Sequence, residues 1–244
     1  MGFGDNVQRQ SNGAGIMELQ GKRIAVTGAF GALGAAMVQA ATAAGARVAA
    51  IDRAAVPNGF AAATAIGNVD LADATAAKTA IDAAAKALGG LDGLVNIAGT
   101  FRWETIADGS ADTWDFLYRV NLRTAVAASK AAIPYLSASG AGRIVNISAA
   151  GSVKAGAGMG AYAASKSGVA RLTEALADEL KDRGITVNAI LPSTIDTAAN
   201  RADMPKADFS RWVTPAQLSD VIVFLLSDRA SAVTGALLPV MGRV

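Results

Sequence analysis

The chain has no cysteine and no histidine. The first absence excludes disulfides, thiolate nucleophiles and sulfur-ligated metals, and the second excludes any histidine-centred triad. No metal site is expected, and proton transfer is left to tyrosine, lysine, a carboxylate or water. Aromatic residues supply only 5% of the chain, too few for a binding surface built on aromatic anchors. Charge is nearly balanced: 22 Lys and Arg face 20 Asp and Glu, and the basic residues are scattered rather than gathered into a stripe. A nucleic-acid partner is therefore not implied. Apolar runs of about 18 residues or more are missing, which argues against a membrane-spanning helix. Met1 to Glu18 carries glycine, asparagine and Asp5 where a signal peptide needs an apolar centre. Positions 1–18 are expected to form a flexible tail, and 19–244 one catalytic domain of a cytoplasmic protein.

What is present is an apolar share of 52%, much of it in short valine and isoleucine runs. Strand-type runs at Arg23–Thr27, Val48–Ile51, Ala65–Val69, Leu94–Asn96, Arg143–Ile147, Thr186–Ile190 and Ala236–Val240 show almost no period-two alternation. Between them lie segments of helical length: Ala32–Ala44, Asp73–Leu88, a long stretch within Ala111–Leu136, Ala161–Arg183 and Pro215–Leu226. Strands without alternation, separated by helices, are what a parallel sheet covered on both faces requires. The expected fold is an α/β doubly wound Rossmann-type domain, with its chemistry in the crevice beyond the carboxyl ends of the strands.

The first crevice loop, Thr27 to Gly34, reads TGAFGALG. Gly28 and Gly31 allow a tight turn and close approach to a pyrophosphate, and Gly34 lets the next helix lie close to the sheet, with Phe30 and Leu33 between them. Asp52 follows Gly28 by 24 residues, near the offset of roughly 20 expected for a carboxylate that accepts from the adenosine ribose hydroxyls. Such a carboxylate repels a ribose phosphate, so NAD is expected as the cofactor, although Arg53 partly offsets that repulsion if it turns inward. Asp70 and Leu71 follow the third strand, where a carboxylate suits the adenine amino group. Asn96 to Gly99 (NIAG, with Ala98) ends the fourth, where small residues admit the cofactor's ribose.

Tyr162 and Lys166 stand four apart at the start of a helix and so share a face. A phenol titrates near 10, too high for an efficient base at neutral pH. A neighbouring ammonium, and the positive ring of an oxidised nicotinamide, both favour phenolate. With no histidine available, this pair is the expected proton-transfer unit.

TGAFGALG, NIAG, the Asn121 of VNLRT, VNIS ending at Ser148, YAASK and NAILPS from Asn188 resemble, in order and spacing, the short-chain dehydrogenase/reductase family over about Leu19 to Gly242. The resemblance implies an oxidoreductase moving hydride between NAD(H) and the carbon of a secondary alcohol or ketone. It gives Tyr162 the proton on the substrate oxygen, Lys166 the nicotinamide ribose, and Asn121 a water that relays protons to the lysine. Thr197 is implied as the binder of the nicotinamide carboxamide, with Ile195 and Pro192 beside it. A seven-stranded sheet and a homotetramer or homodimer are also implied.

Three positions depart from the family pattern. The middle glycine of the first loop falls at 31 rather than 32, where alanine stands, and Ser193 replaces the usual glycine after Pro192. The substrate-orienting serine usually stands 13 residues before the tyrosine, which here is Ala149. Counting back from Gly151 selects Ser148 instead, and Ser152 or a site without such a hydroxyl remain open. Substrate is expected between Thr100–Trp103, the loop after Ser148 and the segment Thr197–Trp212, with Phe101, Trp103 and Met159 as apolar walls and a polar, mobile lid at Ala198–Phe209. The rival readings are a 3-oxoacyl-carrier-protein reductase, which needs a basic surface beside the pocket, and a non-catalytic nicotinamide-binding module. The second is favoured if Ser148 and Ser152 both point away from Tyr162.

Overall fold

A computed structural model describes residues 17–244. Its strands are β1 (Arg23–Thr27), β2 (Arg47–Ile51), β3 (Thr64–Ile66), β4 (Gly93–Asn96), β5 (Arg143–Ile147), β6 (Thr186–Pro192) and β7 (Leu237–Val240). They form one seven-stranded parallel sheet in the order β3-β2-β1-β4-β5-β6-β7. The helices are α1 (Ala32–Ala43), α2 (Ala74–Leu88), α3 (Ala111–Leu117), α4 (Thr124–Ala138), α5 (Gly160–Leu180), α6 (Ala198–Asp203) and α7 (Pro215–Leu226). This is the doubly wound Rossmann-type arrangement expected from the chain. Positions 1–16 of the expected tail lie outside the described residues. Glu18, placed in that tail, accepts a hydrogen bond from Arg229 at 2.6 Å and is part of the fold.

Successive residues of each strand serve opposite faces, which explains why both parities are apolar. Ile24, Val26, Val48 and Val145 pack with α1 and α7 on one face, whereas Ala25, Ala49, Leu94 and Ile144 pack with α2, α4 and α5 on the other. At the amino ends of the strands, Asp92 takes the Arg23 guanidinium at 2.8 and 2.7 Å and the Arg23 amide at 2.8 Å, tying β1 to the start of β4. Four helices carry a side-chain cap, among them α3 through Ser110 and α6 through Thr197. Asp73 accepts from the Ala76 amide at the head of α2, and Thr214 with Gln217 forms a capping box around Pro215 at the head of α7.

The third strand is shorter than the expected Ala65–Val69. It is an edge strand that ends at Ile66, because Gly67 lies against the Ala54 carbonyl and Asn68 takes a left-handed φ of 58°. The helical stretch 111–136 is broken by a π-helical segment, Tyr118–Arg123, that holds Asn121. No helix among the described residues is long and apolar enough to cross a membrane.

Leu94 is fully buried in the centre of the sheet. Leu94→Ala is expected to cost about 2–5 kcal/mol, against about 1 kcal/mol for loss of the Thr214 cap in Thr214→Ala. Urea unfolding midpoints compare the two, and similar losses would show that the central strand is not the core.

Candidate active site

The carboxyl ends of β1, β2, β4, β5 and β6 open on a cleft of ≈ 1450 Å³. That exceeds the roughly 300–1,000 Å³ of a small-ligand pocket and leaves room for a dinucleotide and a substrate together. One half is built from the first glycine loop. Gly28 takes φ +64°, and a Cβ there would stand 2.7 Å from the Ala98 amide nitrogen; one on Gly34 would stand 2.0 Å from the Gly28 carbonyl oxygen. Any larger residue therefore pushes the loop off β4 or α1 off the loop. Thr27 fixes the same corner by accepting from the Ile97 and Ala98 amides at 3.1 and 3.3 Å.

Gly31 heads α1 with no side-chain cap, so the amides of its first turn face the cleft unclaimed. An uncapped helix start at the mouth of a glycine turn suits phosphate charge. Phe30, Gly31, Leu33 and Gly34 all line this half. Asp52 accepts from the Phe30 amide and from the Ala54 amide, each at 2.9 Å, so the carboxylate ties β2 to the glycine loop. Each of its oxygens keeps a further lone pair. Arg53 is exposed on the rim. Asp70 accepts from the Ala72 amide at 3.0 Å and from Arg119 at 2.6 Å, and these two hold its carboxyl below the usual range. Leu71 is buried beside it.

The other half centres on the first turns of α5. Tyr162 lines the cleft, its ring edge-on to Phe101 at 4.9 Å, and no hydrogen bond to its hydroxyl occurs among the described residues. Burial pushes its pKa up to about 12. Lys166 is buried, its Nζ donates to the Ile147 carbonyl at 2.8 Å, and burial lowers its pKa to about 8. The lowering of the phenol expected from Lys166 is therefore absent in the protein alone. Desolvation dominates both groups, and the ammonium is engaged by a main-chain carbonyl.

Asn121 does not line the cleft. It accepts from the Thr100 amide at 2.7 Å and donates to the Thr100 carbonyl at 3.0 Å and to Ser165 Oγ at 2.9 Å. Gly99 fits between it and the lysine, since a Cβ there would stand 2.8 Å from Asn121 Oδ1 and 3.2 Å from Lys166 Nζ. Asn96, expected to touch the cofactor, is a correction. Its amide is buried under α4 and donates to Ser129 and to Asn146, its register partner on β5, because position 96 points to the α4 face while Ala98 and Gly99 reach the cleft.

Ser148 is likewise corrected in orientation. It lines the cleft but is 2% exposed, and its hydroxyl donates to the Lys166 carbonyl at 2.8 Å rather than outward, because the strand end packs directly on α5. Ala149 lines the cleft next to it and Ser152 is not among the lining residues, so neither serine hydroxyl is turned to the cleft, the arrangement named above as favouring a non-catalytic module. Pro192, Ile195 and Thr197 follow β6 along the same wall.

Phe101, Trp103 and Met159, expected as apolar walls for substrate, line the same cleft as Tyr162. Trp103 Nε1 donates to the Ala157 carbonyl at 3.0 Å, and its ring lies over Gly158. The segment expected as a mobile lid carries α6, capped by Thr197, with Arg201 paired to Asp196 at 2.5 and 2.7 Å and lying over Phe209. Sequence reasoning missed Ser165, which donates to the Tyr162 carbonyl at 2.7 Å, although it lies inside YAASK. It also missed Met241 and Val244, which only the fold brings to the cleft.

The short chain dehydrogenase model matches residues 22–208. The chain belongs to the short-chain dehydrogenase family. A 2-(S)-hydroxypropyl-CoM dehydrogenase of Xanthobacter autotrophicus is 32% identical over 92% of this chain and 96% of its own. A D-threitol dehydrogenase of Mycolicibacterium smegmatis is 34% identical over 92% and 93%, and a 3-oxoacyl-[acyl-carrier-protein] reductase of Vibrio harveyi is 33% identical over 93% and 98%. This short-chain dehydrogenase is thus a nicotinamide-dependent oxidoreductase acting on CH–OH or C=O groups.

Burial of Lys166 has a thermodynamic signature. Its pKa falls from 10.5 to about 8 on folding, so between those values the unfolded chain binds more protons and stability from this group rises with pH. The burial penalty is fully present below about pH 8 and is relieved as pH climbs. Unfolding of Lys166→Met is expected to lack this rise between pH 8 and 10, below the window in which Tyr162 acts in the opposite sense. Parallel stability curves for variant and parent would show that the amine is hydrated.

Proposed function

We propose that the protein transfers hydride between NAD(H) and the carbon of a secondary alcohol or ketone, with Tyr162 as the acid/base and Lys166 assisting it. The observation that carries this reading is the uncommitted Tyr162 hydroxyl, above buried Lys166, in one cleft with the uncapped start of α1. NAD supplies the hydride acceptor, and its reduced form the donor. In this reading Gly28, Phe30 and Gly31 shape the turn against the pyrophosphate while Leu33 and Gly34 offer it main-chain amides, and Asp52 accepts from the adenosine ribose hydroxyls and repels a phosphate in their place. Asp70, Leu71, Ala98 and Gly99 frame the adenosine and the bridge to the second ribose, while Pro192, Ile195 and Thr197 hold the carboxamide end. Lys166 has spare ammonium hydrogens for the nicotinamide ribose, and Asn121 holds the backbone of Thr100 beside it.

Burial keeps the Tyr162 phenol protonated, the form that gives a proton to a carbonyl oxygen during reduction. Alcohol oxidation needs phenolate, and a positive charge brought into the cleft lowers that cost where the lysine alone does not. The same reading has the protein work in the cytoplasm as a homodimer or homotetramer. The exposed Trp114, Tyr118 and Val126 on α3, the π-helical segment and α4 support such an association.

NAD-dependent turnover across polyols, hydroxyalkyl thioethers, simple secondary alcohols and a 3-oxoacyl thioester tests the reaction and separates the carrier-protein alternative. Tyr162→Phe should leave NAD affinity nearly intact and lower turnover by at least ~100-fold. Unchanged turnover would remove Tyr162 from the reaction. Asp52→Ala should weaken NAD and narrow its margin over NADP, and a fixed ratio would show that preference is set elsewhere.

A further inference from the structure

Hydride addition to a carbonyl carbon drives the C=O π pair onto oxygen, where charge grows until a proton arrives. Donors aimed at that oxygen set the rate for a substrate that cannot spread the charge itself. Around Tyr162 those donors are largely spent on the protein's own backbone. Ser148 Oγ donates to the Lys166 carbonyl at 2.8 Å, Ser193 Oγ to the Met241 carbonyl at 2.6 Å, and Asn200 Nδ2 to the Ile195 carbonyl at 2.7 Å. Trp103 Nε1 is held by the Ala157 carbonyl at 3.0 Å. The strand-end position that faces the cleft beside Ser148 is the methyl of Ala149. Thr100 and Thr194 line the cleft from the loops after β4 and β6, and Lys154 from an exposed position on the loop after β5; none makes a side-chain hydrogen bond among the described residues, and none occupies the strand-end position of Ala149.

Ser148 and Lys166 also form a reciprocal stitch. The serine hydroxyl donates to the lysine's carbonyl, and the lysine's ammonium donates to the carbonyl of Ile147, the residue before the serine. A side chain so engaged fixes where the ammonium sits.

Resting on the hydride-transfer reading above, we propose that Ser148 positions Lys166 and does not touch substrate, that Tyr162 is the one side-chain donor to the reacting oxygen, and that the enzyme selects carbonyls polarised by an electron-withdrawing neighbour. In the reductive step, hydride from the reduced nicotinamide forms the new C–H bond, and the π pair moves to oxygen. The Tyr162 proton then forms the O–H bond, and the phenolate takes a proton from water. A ketone with a carbonyl, ester or electron-poor ring next to the reacting carbon spreads the developing charge internally. An unactivated ketone depends on a second donor that Ala149 does not provide.

The test is NADH-dependent reduction of a series of para-substituted acetophenones, from methoxy to nitro, by the full chain. For the parent protein, kcat/KM should climb steeply with electron withdrawal. Ala149→Ser should raise kcat/KM for the unsubstituted ketone by at least ~10-fold and flatten the slope, in keeping with the roughly 10²–10³ that one such donor supplies elsewhere. Ser148→Ala should lower every member by a common factor with the slope unchanged. It should also move the titration of Lys166, at about 8 in the parent, upward, as water reaches a slackened ammonium. A flat parent slope would overturn the proposal, as would a slope that steepens in Ser148→Ala, Thr100→Val, Thr194→Val or Lys154→Met. Full turnover by Tyr162→Phe would instead remove the hydride-transfer reading on which the proposal stands, so the two failures are told apart.

Discussion

The seam between the end of β5 and the first half of α5 carries the rest of the site. Parallel strands buried on both faces leave their polar main chain to be satisfied at the ends. Here the Ile147 carbonyl is met by an ammonium from the helix, and the Ser148 hydroxyl returns a hydrogen bond to that helix. Because the lysine is buried to reach the carbonyl, its charge is costly and its pKa falls to about 8. Because α5 is pinned at Lys166, Tyr162 one turn earlier is held at the cleft, buried enough to stay protonated and open enough to meet a ligand. Asn121 extends the seam: the π-helical turn at Tyr118–Arg123 brings its amide between the Thr100 backbone and Ser165.

The dinucleotide half obeys a different constraint, set by what is left unsatisfied. α1, α2 and α7 all begin at the carboxyl edge of the sheet, and two of them cap themselves, through Asp73 and Thr214. α1 starts at Gly31 without a side-chain cap, an arrangement suited to an anion at the mouth of the glycine turn. Asp52 balances the same corner by holding the Phe30 amide, so one carboxylate both shapes the loop and presents negative charge to whatever binds beyond it.

The alternation-free apolar runs gave the sheet its class, and the glycine loop, Asp52, Tyr162 and Lys166 were readable because each sits within a few residues of a strand end or on one helical face. Three readings meet something the chain did not show, for a common cause, that the direction of a side chain is settled by its neighbours in space. Asn96 turns under α4, toward Asn146 on the next strand and away from the cleft. Ser148 turns to α5. The segment expected as a lid carries the Arg201 pair with Asp196 and the contact of Arg201 with Phe209, partners that composition cannot assign.

The chain by itself determined which chemistries were open. Without histidine or cysteine, and with tyrosine and lysine at helical spacing after a glycine turn, a phenol became the expected carrier of the proton, since protonation chemistry belongs to residue type. Tertiary structure alone decided how that phenol is set and what surrounds it. The shift of Tyr162 to about 12 and of Lys166 to about 8 comes from burial. The spending of nearby donors on backbone carbonyls comes from packing between segments far apart in sequence. Desolvation and hydrogen-bond direction depend on atoms brought together by the fold, and no local spacing encodes them.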